Sequence, residues 1–262
     1  MNDETPGETP HPAAEPVTVT PPRDCSPVVS TQTWQDVVFL HWPYDPEILR
    51  HLVPAGSRLD THEGRTWVGV VALRLTGVRL GGLLRLPYLG DFNEVNVRIY
   101  TVGDDGRRST VFLAMEAERL AVVSAARALL RLPYSWAAVD RHRQGDIVGY
   151  RTERRLPGPR GAGIGCTLRL GEAHMPDAAE NFFTARWGTH TPWYGTPLYL
   201  PFAHEPWPLL TAELLDYSDE GLFAAVGVPA PEGPPASVLY SREVRPRSGP
   251  PLPAAGKQAG PG

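Results

Sequence analysis

An alternating stretch followed by a glycine-rich turn constrains the fold of this chain more than any other feature of its sequence. From Asn93 to Thr101 apolar and polar residues alternate, which is the period of a β-strand with two different faces. Gly103 to Gly106 then supplies residues that tolerate a positive φ, and Ser109 to Leu120 returns as a partner strand. The pattern predicts an antiparallel hairpin within a larger sheet.

Short strand and helix patterns fill the rest of the body. The further predicted strands are Gln35 to Trp42, Thr66 to Thr76, Asp146 to Leu156, Ile164 to Leu170, Trp193 to Leu200, Leu209 to Tyr217 and Ser237 to Val244. Thr66 to Thr76 is apolar on both parities, which indicates a strand buried on both sides. Asp45 and Pro46 open a short helix, and we expect a largely buried helix from Leu120 to Leu132 and another from Pro176 to Arg186. The set favours the α+β class: a large, mainly antiparallel sheet or barrel with few helices.

The two ends differ from the body in composition. Residues 1–30 and 246–262 are rich in proline and lack the apolar mass that offsets the cost of ordering a chain. We expect both ends to be disordered and residues 31–245 to form a single domain. The start lacks a basic and apolar leader, and no apolar run approaches the roughly 18 to 20 residues that span a bilayer, so a cytoplasmic location is expected.

Charge and cysteine usage narrow the set of partners. The net charge of −4 gives no global positive field that would attract nucleic acid or an anionic membrane. The two cysteines, Cys25 and Cys166, form no C-x-x-C pair and no zinc ligand set. We therefore expect no nucleic acid, membrane, metal or cofactor. A small-molecule ligand is the expected partner, and the sequence leaves a homo-oligomer open.

The lysine content limits the chemistry. Lys257, six residues from the end of the chain, is the only lysine, so the body offers no side-chain amine that could form a Schiff base. Arginine is no substitute, because it stays protonated and is not a nucleophile.

Several stretches taken together resemble the bacterial YqjF-like proteins, a family of uncharacterised domains. The matching stretches are Phe39 to Pro43, Leu52 to Gly56, Gly64 to Gly69, Phe92 to Thr101, Leu132 to Tyr134, Phe182 to Arg186 and His204 to Leu209. This family is similar to the acetoacetate decarboxylase-like superfamily. The resemblance implies a wide, twisted antiparallel sheet closed into a cone-shaped barrel around a pocket.

The same resemblance bears on individual residues. The decarboxylases use a lysine that is made nucleophilic by desolvation and an adjacent cation. The corresponding stretch here is Leu132 to Ser135, with Tyr134 and Ser135 at the two lysine positions, which implies that the imine site is absent. The resemblance also implies that Glu94, in Phe92-Asn93-Glu94, is a pocket carboxylate.

The polar face of the alternating strand is the main candidate site. The candidate residues are Glu94 as a catalytic carboxylate, with Asn96, Arg98, Tyr100, Arg119, Tyr134 and Trp136 as ligand-binding residues. If this face lines a lumen, Arg98 can hold a substrate carboxylate and a desolvated Glu94 can act as general acid or base. The alternative is a solvated face with ladder salt bridges, in which Glu116, Glu118 and Arg119 pair across strands. Tyr134 and Trp136 either wall the pocket or pack in the core.

Three histidines, His41, His190 and His204, lie beside tryptophans next to the apolar body. No two of them have the spacing of a metal-binding pair, so hydrogen-bonded histidines in the core or at its rim are the expectation.

The sequence is compatible with two functions. In the first, the barrel binds a small carboxylate- or carbonyl-bearing molecule, and any catalysis is acid/base and not through an imine. In the second, the barrel is a non-catalytic ligand- or partner-binding module; the proline-rich ends could also be interaction segments. A pocket of several hundred Å³ with Glu94 and Arg98 pointing inward favours the first, and a lumen filled by Trp and Leu side chains favours the second.

Overall fold

The computed structural model describes residues 12–254. The strands are β1 (Ser30–Tyr44), β2 (Ser57–Leu59), β3 (Thr66–Leu80), β4 (Leu84–Arg85), β5 (Phe92–Gly103), β6 (Arg108–Ala117), β7 (Tyr134–Gln144), β8 (Ile147–Leu156), β9 (Gly163–Ala173), β10 (Gly188–Trp193), β11 (Thr196–Ala203), β12 (Leu209–Glu220), β13 (Ser237–Val244), β14 (Arg247–Ser248) and β15 (Leu252–Pro253). The helices are α1 (Pro46–Leu49), α2 (Leu120–Leu130), α3 (Ala178–Thr184) and α4 (Leu222–Ala225). The predicted class, mainly antiparallel β with a few short helices, is confirmed.

The predicted hairpin lies at the centre of the sheet. β5 and β6 pair antiparallel from Glu94 opposite Ala117 to Val102 opposite Arg108. Gly106 takes a φ of 82° in the connecting turn, a conformation that glycine adopts without a steric cost.

The strands close on themselves in two circuits. Within residues 12–254, the first circuit runs through β1, β13, β12, β9, β8, β7, β6, β5 and β3 and returns to β1. The second runs through β1, β3, β5, β6, β10, β11 and β14 and also returns to β1. The strands β1, β3, β5 and β6 belong to both circuits and are called the shared wall below.

The two faces of the shared wall pack into different interiors. On β5, Val95 and Val97 lie in the apolar core of the first circuit. On β3, Val70 lies in that core, whereas its neighbour Val71 lies in the core of the second circuit. This arrangement explains the stretch from Thr66 to Thr76, which is apolar on both parities because each face of the strand meets a different core.

The structure corrects two local predictions and adds a long strand that the sequence pattern did not predict. The helix α2 is mostly exposed, with Val123 as its buried residue, because it covers the sheet along one side only. The predicted strand from Trp193 to Leu200 is a hairpin, since Tyr194 and Gly195 take positive φ and turn the chain between β10 and β11. Strand β7 was not predicted, because its charged second half carries no apolar alternation.

The predicted disorder of the ends is also corrected where the structure describes them. Residues 12–29 lack regular structure but run along the body, and the Trp187 Nε1 donates a hydrogen bond of 3.0 Å to the Thr18 carbonyl. Past residue 245, β14 and β15 pair with the body. Hydrogen bonds supply here the order that the apolar composition does not. Residues 1–11 and 255–262 lie outside the described residues, and their predicted disorder stays a prediction.

None of the helices in the described part of the chain has the length and apolar character needed to cross a bilayer.

Removing residues 246–262 is expected to destabilise the protein, because it opens the second circuit between β11 and β1. Besides the ladder pairings of β14 and β15, four backbone hydrogen bonds are lost: Val29 N to Ser248 O, Gln32 N to Pro246 O, Gly249 N to Pro201 O and Ala254 N to Pro197 O. At a net value of about 0.5 to 1.5 kcal/mol each, these four bonds alone lower the free energy of unfolding by roughly 2 to 6 kcal/mol. Denaturant unfolding measures the loss, and removal of residues 255–262 alone is the matched control. Equal stabilities of the two truncated chains would contradict the role given to β14.

Candidate functional site

The interior of the second circuit holds a cavity of about 290 Å³. Its apolar walls come from β1, β3, β6 and β11, with Phe39, Leu73, Met115 and Leu200 among the side chains that face it. A shallower depression of about 440 Å³ lies elsewhere, near Arg50, Pro54 and Arg58. The interior cavity is the candidate site because it contains the polar face of β5.

Three polar side chains of β5 enter this cavity together. Glu94, Asn96 and Arg98 line it and are 3%, 3% and 8% exposed. They share one face because side chains two residues apart on a strand point the same way. The question left by the sequence, whether this face meets water or a lumen, is therefore answered: it lines the lumen.

Glu94 accepts two hydrogen bonds. The Tyr134 hydroxyl donates to its Oε2 at 2.8 Å, and the Asn96 Nδ2 donates to its Oε1 at 3.3 Å. Tyr134 reaches Glu94 because β7 starts beside the end of β6, with Tyr134 opposite Met115. The structure thus brings the predicted carboxylate together with the tyrosine that the resemblance places at a lysine position.

Burial sets the protonation of this pair. Desolvation raises the pKa of Glu94 to about 7, although the hydrogen bonds from Tyr134 and Asn96 act in the opposite direction. Burial, and then the neighbouring carboxylate, raise the pKa of Tyr134 well above its usual value, so this phenol stays protonated and keeps donating. Glu94 therefore exists in both protonation states near pH 7.

Arg98 is held at one edge of its guanidinium. Its Nε donates to the Tyr100 hydroxyl at 3.1 Å, and its Nη2 donates to the Phe183 carbonyl at 3.4 Å. Phe183 is fixed by α3, whose Asp177 forms a capping box with Glu180. Among the residues the structure describes, no carboxylate lies within ion-pair distance of Arg98.

Tyr100 lies behind Arg98 and does not line the cavity. Its hydroxyl is 2.6 Å from the Nε2 of His41, and His41 stacks on the Phe183 ring at 3.8 Å between centroids. Burial and the nearby Arg98 lower the pKa of His41 well below its usual value, so the imidazole is neutral. The hydroxyl accepts from Arg98 and donates to His41, which fixes the orientation of the guanidinium.

Two other candidate residues lie outside the cavity. Trp136 donates from its Nε1 to the Glu118 carbonyl at 3.2 Å and lies under Arg155. Arg119 stacks over the exposed ring of Tyr88, at 4.2 Å from the ring centroid. Arg119 leaves the wall because β6 ends at Ala117, whereas Trp136 on β7 packs against the core of the second circuit and does not line the cavity.

The predicted salt-bridge ladder across β5 and β6 is absent from the described residues. Glu116 instead pairs with Arg154, both almost fully buried. The Glu118 carboxylate accepts from the Asn93 backbone N–H at 2.7 Å. The polar face of β5 is consequently left without acidic partners from β6.

The three histidines occupy separate buried positions. His190 meets Ser109, with its Nδ1 2.5 Å from the hydroxyl, and the His204 Nδ1 donates to the Glu205 carbonyl at 2.6 Å. Burial lowers the pKa of both imidazoles to about 4. Within residues 12–254, no group of three His, Cys, Asp or Glu side chains is placed to hold a metal ion.

Several lining residues were not identified from the sequence. Trp34 and Val37 both face the cavity although they are three residues apart on β1. The register of β1 against β3 shifts between Gln35 and Val38, and Asp36 takes a φ of 49°. A bulge at Asp36 therefore changes which parity faces the lumen, and no local pattern in the sequence signals it.

Comparison with known proteins identifies relatives over most of the chain. The model of the DUF2071 family, described as an uncharacterized conserved protein, matches residues 31–245. The "Uncharacterized protein YqjF" of Bacillus subtilis (strain 168) is 31% identical over 210 residues, which is 79% of this chain and 85% of that relative.

Solved structures show the same fold at low sequence identity. The enduracididine biosynthesis enzyme MppR complexed with pyruvate aligns with a TM-score of 0.59 at 10% identity, over 86% of this chain and 90% of that one. An acetoacetate decarboxylase-like enzyme from Sphingomonas wittichii RW1 aligns with a TM-score of 0.58 at 15% identity, over 90% and 97%. These likenesses confirm the acetoacetate decarboxylase-like fold that the resemblance implied.

Glu94 is expected to make the protein less stable as the pH rises from 4.5 to 7. The folded state holds the Glu94 proton up to about pH 7, whereas the usual pKa is 4.5, so the folded state binds more protons in this window. The stabilisation that comes from the Glu94 proton is fully present below pH 4.5. It is lost as the pH rises to about 7, and the free energy of unfolding falls by about 3 kcal/mol over this range. Denaturant unfolding at several pH values should show this slope in the parent protein and lose it in Glu94→Gln. Glu213→Gln, at an exposed position, is the control, and parallel pH profiles of the parent and Glu94→Gln would contradict the assignment.

Proposed function

The chain belongs to the DUF2071 family, and on that premise we propose that its lumen binds a small carboxylate-bearing molecule through Arg98. Glu94, on the same face of β5, gives or takes a proton at the bound molecule. Any reaction in this site is acid/base chemistry and does not pass through a lysine imine.

The proposal rests on the buried positive charge of Arg98. Arg98 is 8% exposed and lines the cavity, yet no carboxylate of the described residues pairs with it. A buried charge without a partner is costly, and a ligand carboxylate that supplies two oxygens to the guanidinium removes that cost. The Nη1 group has no hydrogen-bond partner among those recorded for the described residues, which leaves it available to a ligand.

Glu94 supports the acid/base part of the proposal. A catalytic acid or base works best when its pKa lies near the working pH, and burial raises the pKa of Glu94 to about 7. Glu94 and Arg98 are four residues apart on β5, with roughly 13 Å between their Cα atoms. Both line the same cavity, so a ligand that extends along it can contact both groups.

The amine chemistry of the decarboxylases has no counterpart among the described residues. Residues 12–254 contain no lysine, and Lys257 lies outside them. Tyr134 lies where the resemblance places a catalytic lysine, and its hydroxyl donates to Glu94 instead. The pyruvate in the MppR structure is consistent with a carboxylate ligand in this fold.

One observation favours the second function, a binding module without turnover. Both oxygens of Glu94 already accept hydrogen bonds from the protein, from Tyr134 and Asn96. Deuterium exchange next to the carbonyl of a bound keto acid separates the two functions. Exchange that is lost in Glu94→Gln supports catalysis, whereas binding without exchange supports the module.

Replacing Arg98 with Gln is expected to weaken carboxylate binding by roughly 10- to 100-fold, because a charge-assisted hydrogen-bonded pair contributes about 1.5 to 3 kcal/mol. Calorimetric titration with monocarboxylates of two to eight carbons measures the effect. Arg119→Gln is the matched control, since Arg119 lies outside the cavity, and its affinities should equal those of the parent protein. The proposal is overturned if Arg98→Gln folds and binds the same acids as tightly as the parent, or if the parent binds none of them.

A further inference from the structure

The charges of the lumen are confined to one strand. Of all the residues that line the cavity, Glu94 and Arg98 are the charged ones, and both lie on β5. A ligand with one carboxylate finds a cation at this position. A second carboxylate elsewhere on the ligand would be buried without a basic partner from the lining, at a high cost in free energy.

The remaining lining is mostly apolar from the buried end to the rim. The buried apolar lining residues are Val37, Phe39, Val71, Leu73, Leu75 and Met115. Half-buried residues continue the apolar surface outward, among them Phe112, Leu200, Phe202 and Trp207. The part of the ligand that does not contact β5 thus meets mainly hydrocarbon and aromatic rings.

The volume of the cavity sets the size of this apolar part. A water molecule takes about 30 Å³ of liquid, so a cavity of about 290 Å³ accommodates roughly ten non-hydrogen atoms. A carboxylate uses three of these atoms. Roughly seven carbons remain for the tail, which is far more than a short keto acid supplies.

We propose that the ligand of this site is a monocarboxylate with an apolar tail of about seven carbons, its carboxylate on Arg98 and its tail along the apolar lining of β1, β3, β6 and β11. This inference rests on the proposed function and adds the substrate class. A short, polar keto acid leaves most of the apolar lining without contacts. A dicarboxylate of the same length places its second charge against that lining.

Each methylene that enters the cavity is expected to tighten binding about three- to fourfold, which is the effect of burying one methylene group. Calorimetric titration with straight-chain acids from acetate to dodecanoate should show this gain up to octanoate, which has ten non-hydrogen atoms, and no further gain beyond it. Octanol and octanedioate should each bind at least tenfold more weakly than octanoate, and Arg98→Gln should reduce octanoate binding to the level of octanol.

The outcomes separate this inference from the proposed function. If pyruvate or acetoacetate binds as tightly as octanoate and depends on Arg98, the apolar tail is wrong while the carboxylate site stands. If no acid shows binding that depends on Arg98, the proposed function itself fails.

A second variant excludes general damage to the fold as the explanation. Leu200 is half-buried at the rim of the lining, and Leu200→Trp fills part of the space for the tail without touching β5. The chain length that binds best should become shorter by two or more carbons, while acetate and propionate bind as in the parent protein. An unchanged optimum at octanoate would contradict the proposed path of the tail.

Discussion

The antiparallel pairing of β1 with β3 is the contact on which the rest of the structure depends. It runs from Ser30 opposite Leu80 to Tyr44 opposite Thr66, and it completes both circuits of strands. Because both circuits close through it, the shared wall has a packed interior on each side. A polar residue on this wall therefore has no route to bulk water except through a cavity. The site of the protein is a direct result of this double closure.

The double closure affects the two charged residues of β5 differently. Glu94 can lose its charge by taking up a proton, and burial raises its pKa to about 7 accordingly. Arginine does not lose its charge at physiological pH. Arg98 is held by Tyr100 and by the Phe183 carbonyl, neither of which is an anion. The uncompensated charge of the lumen is thus a cation, and that is the physical reason for expecting an anionic ligand.

The sequence predicted the elements with strong local signals. The alternation of β5, the turn at Gly103 to Gly106 and the capped start of α1 at Asp45 are all present. The same alternation correctly placed Glu94 and Arg98 on one face. The resemblance to the YqjF-like proteins added the barrel, which periodicity alone could not show.

The features that escaped prediction depend on contacts between distant residues. The bulge at Asp36 is stabilised by Arg141, Arg143 and Tyr240, more than 100 residues away, and it turns Trp34 toward the lumen. β14 is two residues long and is ordered by its neighbours, not by its composition. Arg119 was assigned to the site from its position near β6, but the strand ends at Ala117 and the side chain leaves the wall.

Proton uptake by Glu94 when a ligand binds at Arg98 tests most directly whether the lumen is a carboxylate site. An anion bound to Arg98 adds a negative charge to the buried lumen that Glu94 also lines and raises the pKa of Glu94, so binding at pH 7 should be accompanied by uptake of a fraction of a proton, up to about one half. Calorimetric titration of octanoate in buffers with different ionisation enthalpies measures this number. The account predicts proton uptake in the parent protein and none in Glu94→Gln. Binding without any proton uptake, or uptake that persists in Glu94→Gln, would contradict a site in which the anion on Arg98 and the Glu94 carboxyl share one buried lumen.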